Sequence, residues 1–194
     1  MKRVLTLLAA MLLLVAGAGC GGGGGGDESS DEAASSSAVP FDRAFIDAMV
    51  PHHRSAIAMA EAAKNAGLQN GQLREVADDI MESQRREIDE MLDWREEWFG
   101  SRDLGPEDRS LLGLPEAEMG AMEHGADEIE GAEDVDRAFA VAMIPHHEDA
   151  IEMAKQAQQK GQHEEIKTLA DDIVEAQKRE IETMNPHMSG GHEG

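Results

Sequence analysis

Apolar and polar residues alternate with a helical period along much of the chain. In the first such segment, the residues of one face recur at intervals of three, four and seven: Phe45, Ala48, Met49, His52, Ala56, Met59, Ala60 and Ala63. A second stripe holds Leu73, Val76, Ala77, Ile80, Gln84, Glu87, Ile88 and Met91, and runs on to Trp94 and Trp98. The pattern predicts two helices, of which the first is capped by Asp42 and ends at Gly67.

The same pattern returns in the second half of the chain. AMVPHHRSAIAMA at residues 48–60 returns as AMIPHHEDAIEMA at residues 142–154, and the DRAF that begins at Asp42 returns at Asp136. These repeats predict a third helix, which begins at Asp134 or Asp136 and ends at Gly161, and a fourth from about His163 to Met184. Two copies are too few for a solenoid, so we expect one all-α domain, a four-helix bundle built from two pseudo-symmetric helical hairpins.

The segments outside the helices set the domain limits. Residues 1–19 have a basic start, an apolar run and small residues before Cys20, which is typical of a secretory leader. The ending AGAGC resembles a bacterial lipobox, which implies cleavage before Cys20 and a lipid on its sulfur; an ordinary secretory signal or an uncleaved anchor are the alternatives. The predicted parts are a flexible Gly, Ser and acidic tether at 20–38, the bundle at 39–188 and a polar tail at 189–194. Within the bundle they are repeat 1 at 41–98, a crossover connection at 99–134 with one short helix at 115–124, and repeat 2 at 135–185.

Composition narrows the class of protein. Aromatic residues make up only 3% of the chain against 41% hydrophobic residues, so the core must be aliphatic, which favours helices. The formal net charge of −23 repels nucleic acids and attracts cations, and we expect no nucleic-acid partner. Cys20 is the single cysteine, so the bundle contains neither a disulfide nor a thiolate ligand.

Each His-His pair directly follows a proline inside a predicted helix. Pro51 and Pro145 remove a helical hydrogen bond, and the resulting kinks could aim the imidazoles. In the alternative interpretation, each proline opens a new helix after a short lead-in turn. Adjacent helical residues point about 100° apart, so at least one imidazole of each pair must be buried.

Imidazole, thioether and carboxylate groups share the predicted interior of the bundle. Gln84 lies at the centre of its apolar stripe and Glu87 at its edge, and a buried carboxylate needs a cation or a hydrogen-bonding partner. Imidazoles with thioethers form a soft ligand set that favours Cu(I) or Ag(I). Alternatively, the methionines fill the core and a Gln–Glu–His network fixes the register of the bundle. The chain has no Glu-x-x-His motif and no repeated nucleophile beside histidine, so we expect no enzyme.

Two further groups of soft ligands lie outside the repeats. Met119 and Met122 precede His124 in the connection, and His187, Met188 and His192 lie near the C-terminus. They are either loading sites for copper or ordinary solvated residues.

The repeated A-M-[VI]-P-H-H-x-x-A-I-x-M-A, followed by Ala-Asp-Asp-Ile and Gln-x-x-Glu-Ile-x-x-Met, resembles the bacterial family called domain of unknown function 305. The likeness covers about residues 40–185, and it implies a ferritin-like four-helix bundle that is exported or lipid-anchored. Some members are implicated in copper or silver binding and resistance. The resemblance implies as metal ligands Met49, His52, His53, Met59, Glu87, Met91, Met143, His146, His147, Met153, Glu180 and Met184, with Gln84 and Gln177 as hydrogen-bonding partners of the ligands.

The functional expectation is an exported lipoprotein, anchored to the membrane through Cys20, that binds a soft metal ion, Cu(I) first, for metal homeostasis or resistance. The alternative is a metal-free helical module at the cell surface whose buried polar network only specifies the fold. The protein partner and the oligomeric state stay open.

Overall fold

The computed structural model describes residues 39–106, 112 and 119–189, without the side chains of residues 119–124. The predicted leader, Cys20, the tether up to residue 38 and the last residues from 190 therefore lie outside the described part of the chain. The side chains of Met119, Met122 and His124, and the whole of His192, which the sequence offers as loading sites for copper, lie outside it as well.

The described residues form five α-helices and no strands, so the predicted all-α class is confirmed. The helices are α1 at Phe41–Ala66, α2 at Gly71–Phe99, α3 at Met119–Glu130, α4 at Val135–Lys160 and α5 at Glu164–Met184, and a 3₁₀ turn follows at Asn185–His187. The described part of the helix in the connection is Met119–Glu130, which runs beyond the predicted end at residue 124; the predicted start at Pro115 lies outside the described residues. None of the helices in this described part combines the length and apolar character needed to span a bilayer.

The two hairpins, α1–α2 and α4–α5, join along an antiparallel contact between α1 and α4. One buried cluster combines Phe45–Val50 of α1 with Ala150–Ala157 of α4, and the other combines Ala56–Ala63 with Phe139–Ile144. Helices α2 and α5 lie on the opposite edge of the bundle, where they contact each other only sparsely. The buried apolar residues of the described chain all lie between Ala44 and Met184, so residues 38–194 contain this core.

Helix α3 covers the edge at which α1 meets α4, and it contacts both of them. A Cβ at Gly125 would lie 2.6 Å from the sulfur of Met59, so a larger residue there would require the Met59 side chain to shift. Among the described residues, an additional helix therefore covers the α1–α4 edge of the bundle, and none covers the α2–α5 edge.

Both prolines lie inside uninterrupted helices. Pro51 is within Phe41–Ala66 and Pro145 is within Val135–Lys160. The alternative in which each proline opens a new helix is therefore wrong. The two prolines remove one amide donor from each central helix, immediately before the paired histidines.

The aspartates of the repeated DRAF motif join the two hairpins. The sequence pattern predicted that Asp42 caps its own helix, and this prediction is wrong, because the N-cap of α1 is Pro40. The buried carboxylate of Asp42 instead accepts hydrogen bonds from the backbone N–H groups of Gln162 and His163, at 2.9 Å each, in the turn before α5. Asp136 does the same for Gln69 and Asn70 in the turn before α2, at 2.7 and 2.9 Å. Each repeat thus supplies a carboxylate that satisfies helix-start amides of the other. The N-cap of α4 is Asp134, which accepts from the amide of Arg137.

Candidate metal centre

The four motif histidines lie at the centre of the bundle, where α1 crosses α4. Their exposed fractions are 2% for His52, 5% for His146 and 0% for His53 and His147, so both members of each pair are buried. The rings of His52 and His146 face each other across the α1–α4 contact, with centroids 3.7 Å apart and planes inclined by 36°. In each pair the neighbouring ring is 6.4 Å away. The repeat therefore brings four imidazoles together in one buried layer.

The outer histidine of each pair is held by a carboxylate from the adjacent helix. His53 Nε2 lies 2.7 Å from Glu87 Oε2, and His147 Nε2 lies 2.7 Å from Glu180 Oε2. The two imidazoles have no exposed side-chain surface, whereas 10% of the Glu87 side chain and 14% of the Glu180 side chain reach solvent. A carboxylate can only accept in this contact, so Nε2 carries the hydrogen and donates it.

This hydrogen bond determines which ring nitrogen remains available. With the hydrogen on Nε2, the neutral ring presents a lone pair at Nδ1. The Nδ1 atoms of His53 and His147 are buried and have no hydrogen-bond partner among the described residues. The amide oxygens of Gln84 and Gln177 are buried without a partner as well. A buried polar atom without a partner costs about 1–3 kcal/mol, so four such acceptors in one core need an explanation.

The six motif methionines are all buried, with exposed fractions of 0–2%. They divide into two groups that mix the repeats. One buried cluster contains Met49 and Met91 of repeat 1 with Met153 of repeat 2, and the other contains Met143 and Met184 of repeat 2 with Met59 of repeat 1. Because α1 and α4 are antiparallel, one group lies on each side of the histidine layer along these two helices.

The donor set limits the kind of ion that fits. Among the described residues, no three His, Cys, Asp or Glu side chains come together in a way that could hold an ion. Unsatisfied imidazole nitrogens in a core with buried thioethers are the donors that soft ions such as Cu(I) prefer.

The structure adds charged residues that the sequence pattern did not single out. Asp47 and Arg95 form a buried ion pair, with Arg95 Nε 2.6 Å from Asp47 Oδ1. Arg86 and Arg179 lie beside Glu87 and Glu180 at the α2–α5 edge. Their positions in the two repeats correspond, which is the signal that could have identified them.

His187 and Met188 fall in or just after the 3₁₀ turn that follows α5, and Met188 is exposed.

The fold and the core define a class of protein: a duplicated helical hairpin whose halves meet at a buried layer of imidazoles, each half with its own His–Glu hydrogen bond. The family model for the domain of unknown function (DUF305) matches residues 21–95 and 42–188. The chain belongs to the DUF305 family, as its repeated motif predicted. A comparison with curated proteins finds no match.

Solved structures with the same fold include copper-bound ones. The chain is 32% identical to CopM in its Cu(I)-bound form, with a TM-score of 0.61, and the match covers 75% of this chain and 93% of CopM. CopM has also been solved in Cu(II)-bound and Ag-bound forms. A DUF305 fragment from Deinococcus radiodurans is 26% identical with a TM-score of 0.60, over 77% of this chain and 96% of the fragment. A DUF305 protein from Streptomyces coelicolor, described as secreted, shares the fold at 22% identity and a TM-score of 0.65, over 80% of this chain and 98% of its own.

Proposed function

We propose that this protein binds a soft monovalent metal ion, Cu(I) first, in the core between its two hairpins. The observation that carries the proposal is the unsatisfied Nδ1 atom of His53, repeated at His147, on a ring whose other nitrogen is held by a carboxylate. Histidines that bind metals almost always donate their second ring N–H to a carboxylate, a carbonyl or a water molecule. The bundle has this arrangement twice.

The ligands that we propose follow from these contacts. His53 and His147 would bind through Nδ1, with thioethers from the two methionine groups and with the central pair His52 and His146. The buried thioethers would favour a soft ion over a hard one of the same charge. Glu87 and Glu180 would orient imidazoles rather than bind the ion, and the partnerless amide oxygens of Gln84 and Gln177 are available to the same network.

The similarity to CopM supports the choice of ion. CopM has been solved with Cu(I), with Cu(II) and with Ag bound. The sequence identity between this chain and these three structures is 31–32%. We propose a role in buffering, delivering or detoxifying the metal, and no catalytic activity.

The direct test is an anaerobic competition between residues 38–194 and a chromophoric Cu(I) chelator. We expect the protein to withdraw one or two Cu(I) ions per chain from the chelator, since the core is duplicated. In a parallel titration with Zn(II), we expect the protein to bind no zinc. Alanine at His52, His53, His146 and His147 should abolish the uptake. If the unaltered domain takes no Cu(I) from even the weakest chelator, the proposal is wrong.

A metal-free structural module is the second candidate, because both His–Glu hydrogen bonds form from protein groups alone. The four-alanine variant separates the two candidates when its unfolding is followed by urea titration without metal. A large loss of stability in the apo protein, together with no Cu(I) uptake by the unaltered domain, would favour the structural module. Nearly unchanged apo stability with loss of Cu(I) uptake would favour ligands.

We further propose that the protein is exported and anchored by a lipid on Cys20, as the leader and the lipobox-like ending indicate. In cells, the unaltered protein should then sediment with membranes and partition into detergent. The Cys20→Ala variant should lose the lipid and the detergent partitioning. Identical partitioning of both forms would argue against the anchor.

A further inference from the structure

The α2–α5 edge of the bundle contains an acidic groove of about 650 Å³. Seven carboxylates and two arginines line it. Several of the carboxylates occupy corresponding positions in the two repeats, Asp79 with Asp172 and Glu82 with Glu175. The groove therefore lies between the repeats and belongs equally to both.

The floor of this groove leads to the buried histidines. Glu87 and Glu180 line the groove, and they are the carboxylates that hold His53 and His147. Their side chains are 10% and 14% exposed, whereas the imidazoles behind them have no exposed surface. From the solvent inward, the order is thus groove, carboxylate, imidazole, and beyond the imidazole the partnerless Nδ1 atom.

Among the described helices, the other edges of the bundle are more extensively packed. Helix α3 covers the α1–α4 edge, and the two hairpin edges, α1–α2 and α4–α5, have the most extensive helix contacts in the bundle. A solvated ion that reaches the histidine layer through the α2–α5 edge has to separate fewer helix–helix contacts than an ion that enters through another edge.

We propose that this groove is a shared entrance through which a hydrated metal cation reaches both His–Glu pairs. The inference rests on the proposed function and adds the route and its charge selectivity. Clefts lined by one sign of charge raise the local concentration of counter-ions and speed association by about 10- to 1,000-fold. Arg86 and Arg179 moderate this field, since Arg179 forms an ion pair with Glu175 at 2.5 Å, and the net charge of the lining stays negative.

The test is the rate at which residues 38–194 take up Ag(I), supplied as the hydrated ion in chloride-free buffer and followed by stopped-flow ultraviolet absorbance. Glu82→Gln with Glu175→Gln removes one charge from each wall. The matched control, Asp127→Asn with Glu128→Gln, removes two charges from exposed positions on α3. At low ionic strength we expect the groove variant to bind about tenfold more slowly, the control to match the unaltered domain, and the difference to shrink in high nitrate. The number of ions bound at equilibrium should not change.

A second variant blocks the groove without changing its charge. Ser83 and Ala176 occupy corresponding positions on the two walls, and tryptophan at both should slow uptake at every ionic strength. Ser83→Ala, which makes the two positions identical, is the control and should have no effect. If both groove variants bind the same number of Ag(I) ions at the same rate as the unaltered domain, the groove is not the entrance, and the proposed function is unaffected. Absence of Ag(I) uptake by the unaltered domain would overturn both.

Discussion

Replacing Glu87 and Glu180 with alanine is expected to lower the affinity for Cu(I) by about 10- to 100-fold without changing the number of ions bound. Each carboxylate accepts the Nε2–H of one buried histidine at 2.7 Å and thereby directs the lone pair of Nδ1 towards the core. Without this acceptor the ring can rotate or exchange its tautomer, so binding must first restore the productive arrangement. The chelator competition measures the change directly.

Glutamine at the same two positions separates an orienting role from direct ligation. An amide oxygen still accepts the Nε2–H, so these variants should retain most of the affinity that alanine loses. Glu90→Ala is a suitable control, because Glu90 lines the same groove and makes no hydrogen bond to a histidine among the described residues. If glutamine is as damaging as alanine and one ion is lost with each carboxylate, then Glu87 and Glu180 are ligands and the orienting role is wrong.

The local features of this site could be predicted from the sequence because they depend on helical period alone. A residue's face follows from its spacing, so the stripes identified the buried sides of α1 and α2. The buried positions of Gln84 and Glu87 were predicted in this way, and both are less than 10% exposed. Whether one or both histidines of a pair face inward was not predictable, because adjacent residues lie about 100° apart and only neighbouring helices on both sides can bury them both.

The long-range contacts could not be predicted, because they depend on how the hairpins meet. The sequence predicted Asp42 as the cap of its own helix, whereas its carboxylate accepts hydrogen bonds from backbone N–H groups 120 and 121 positions further along the chain. Met59 belongs by sequence to repeat 1 and packs with Met143 and Met184 of repeat 2. Both facts follow from the antiparallel contact between α1 and α4, which no spacing within one repeat specifies. The ligand roles of the histidines and methionines stay a prediction.

A buried ion pair distinguishes repeat 1 from repeat 2. Asp47 and Arg95 join α1 to α2 at 2.6 Å, each side chain is only 3% exposed, and Arg95 also donates to the carbonyl of Ser101 at 2.5 Å. The corresponding positions of repeat 2 hold Val141 and Met188. The repeated fold therefore does not require the ion pair, although each buried charge needs the other to compensate it.

Arg95→Met is expected to lower the free energy of unfolding by about 3–5 kcal/mol, because it leaves the Asp47 carboxylate buried without its closest cation. Arg43 lies 3.5 Å from that carboxylate, but it is 39% exposed, so it compensates only in part. Adding Asp47→Val, which copies repeat 2 at both positions, removes the unpaired charge and should restore most of the lost stability. Urea titrations of the two variants and the unaltered domain measure the coupling between the positions. If the double variant is no more stable than Arg95→Met, the cost lies in lost packing around Arg95, and the ion pair itself contributes little.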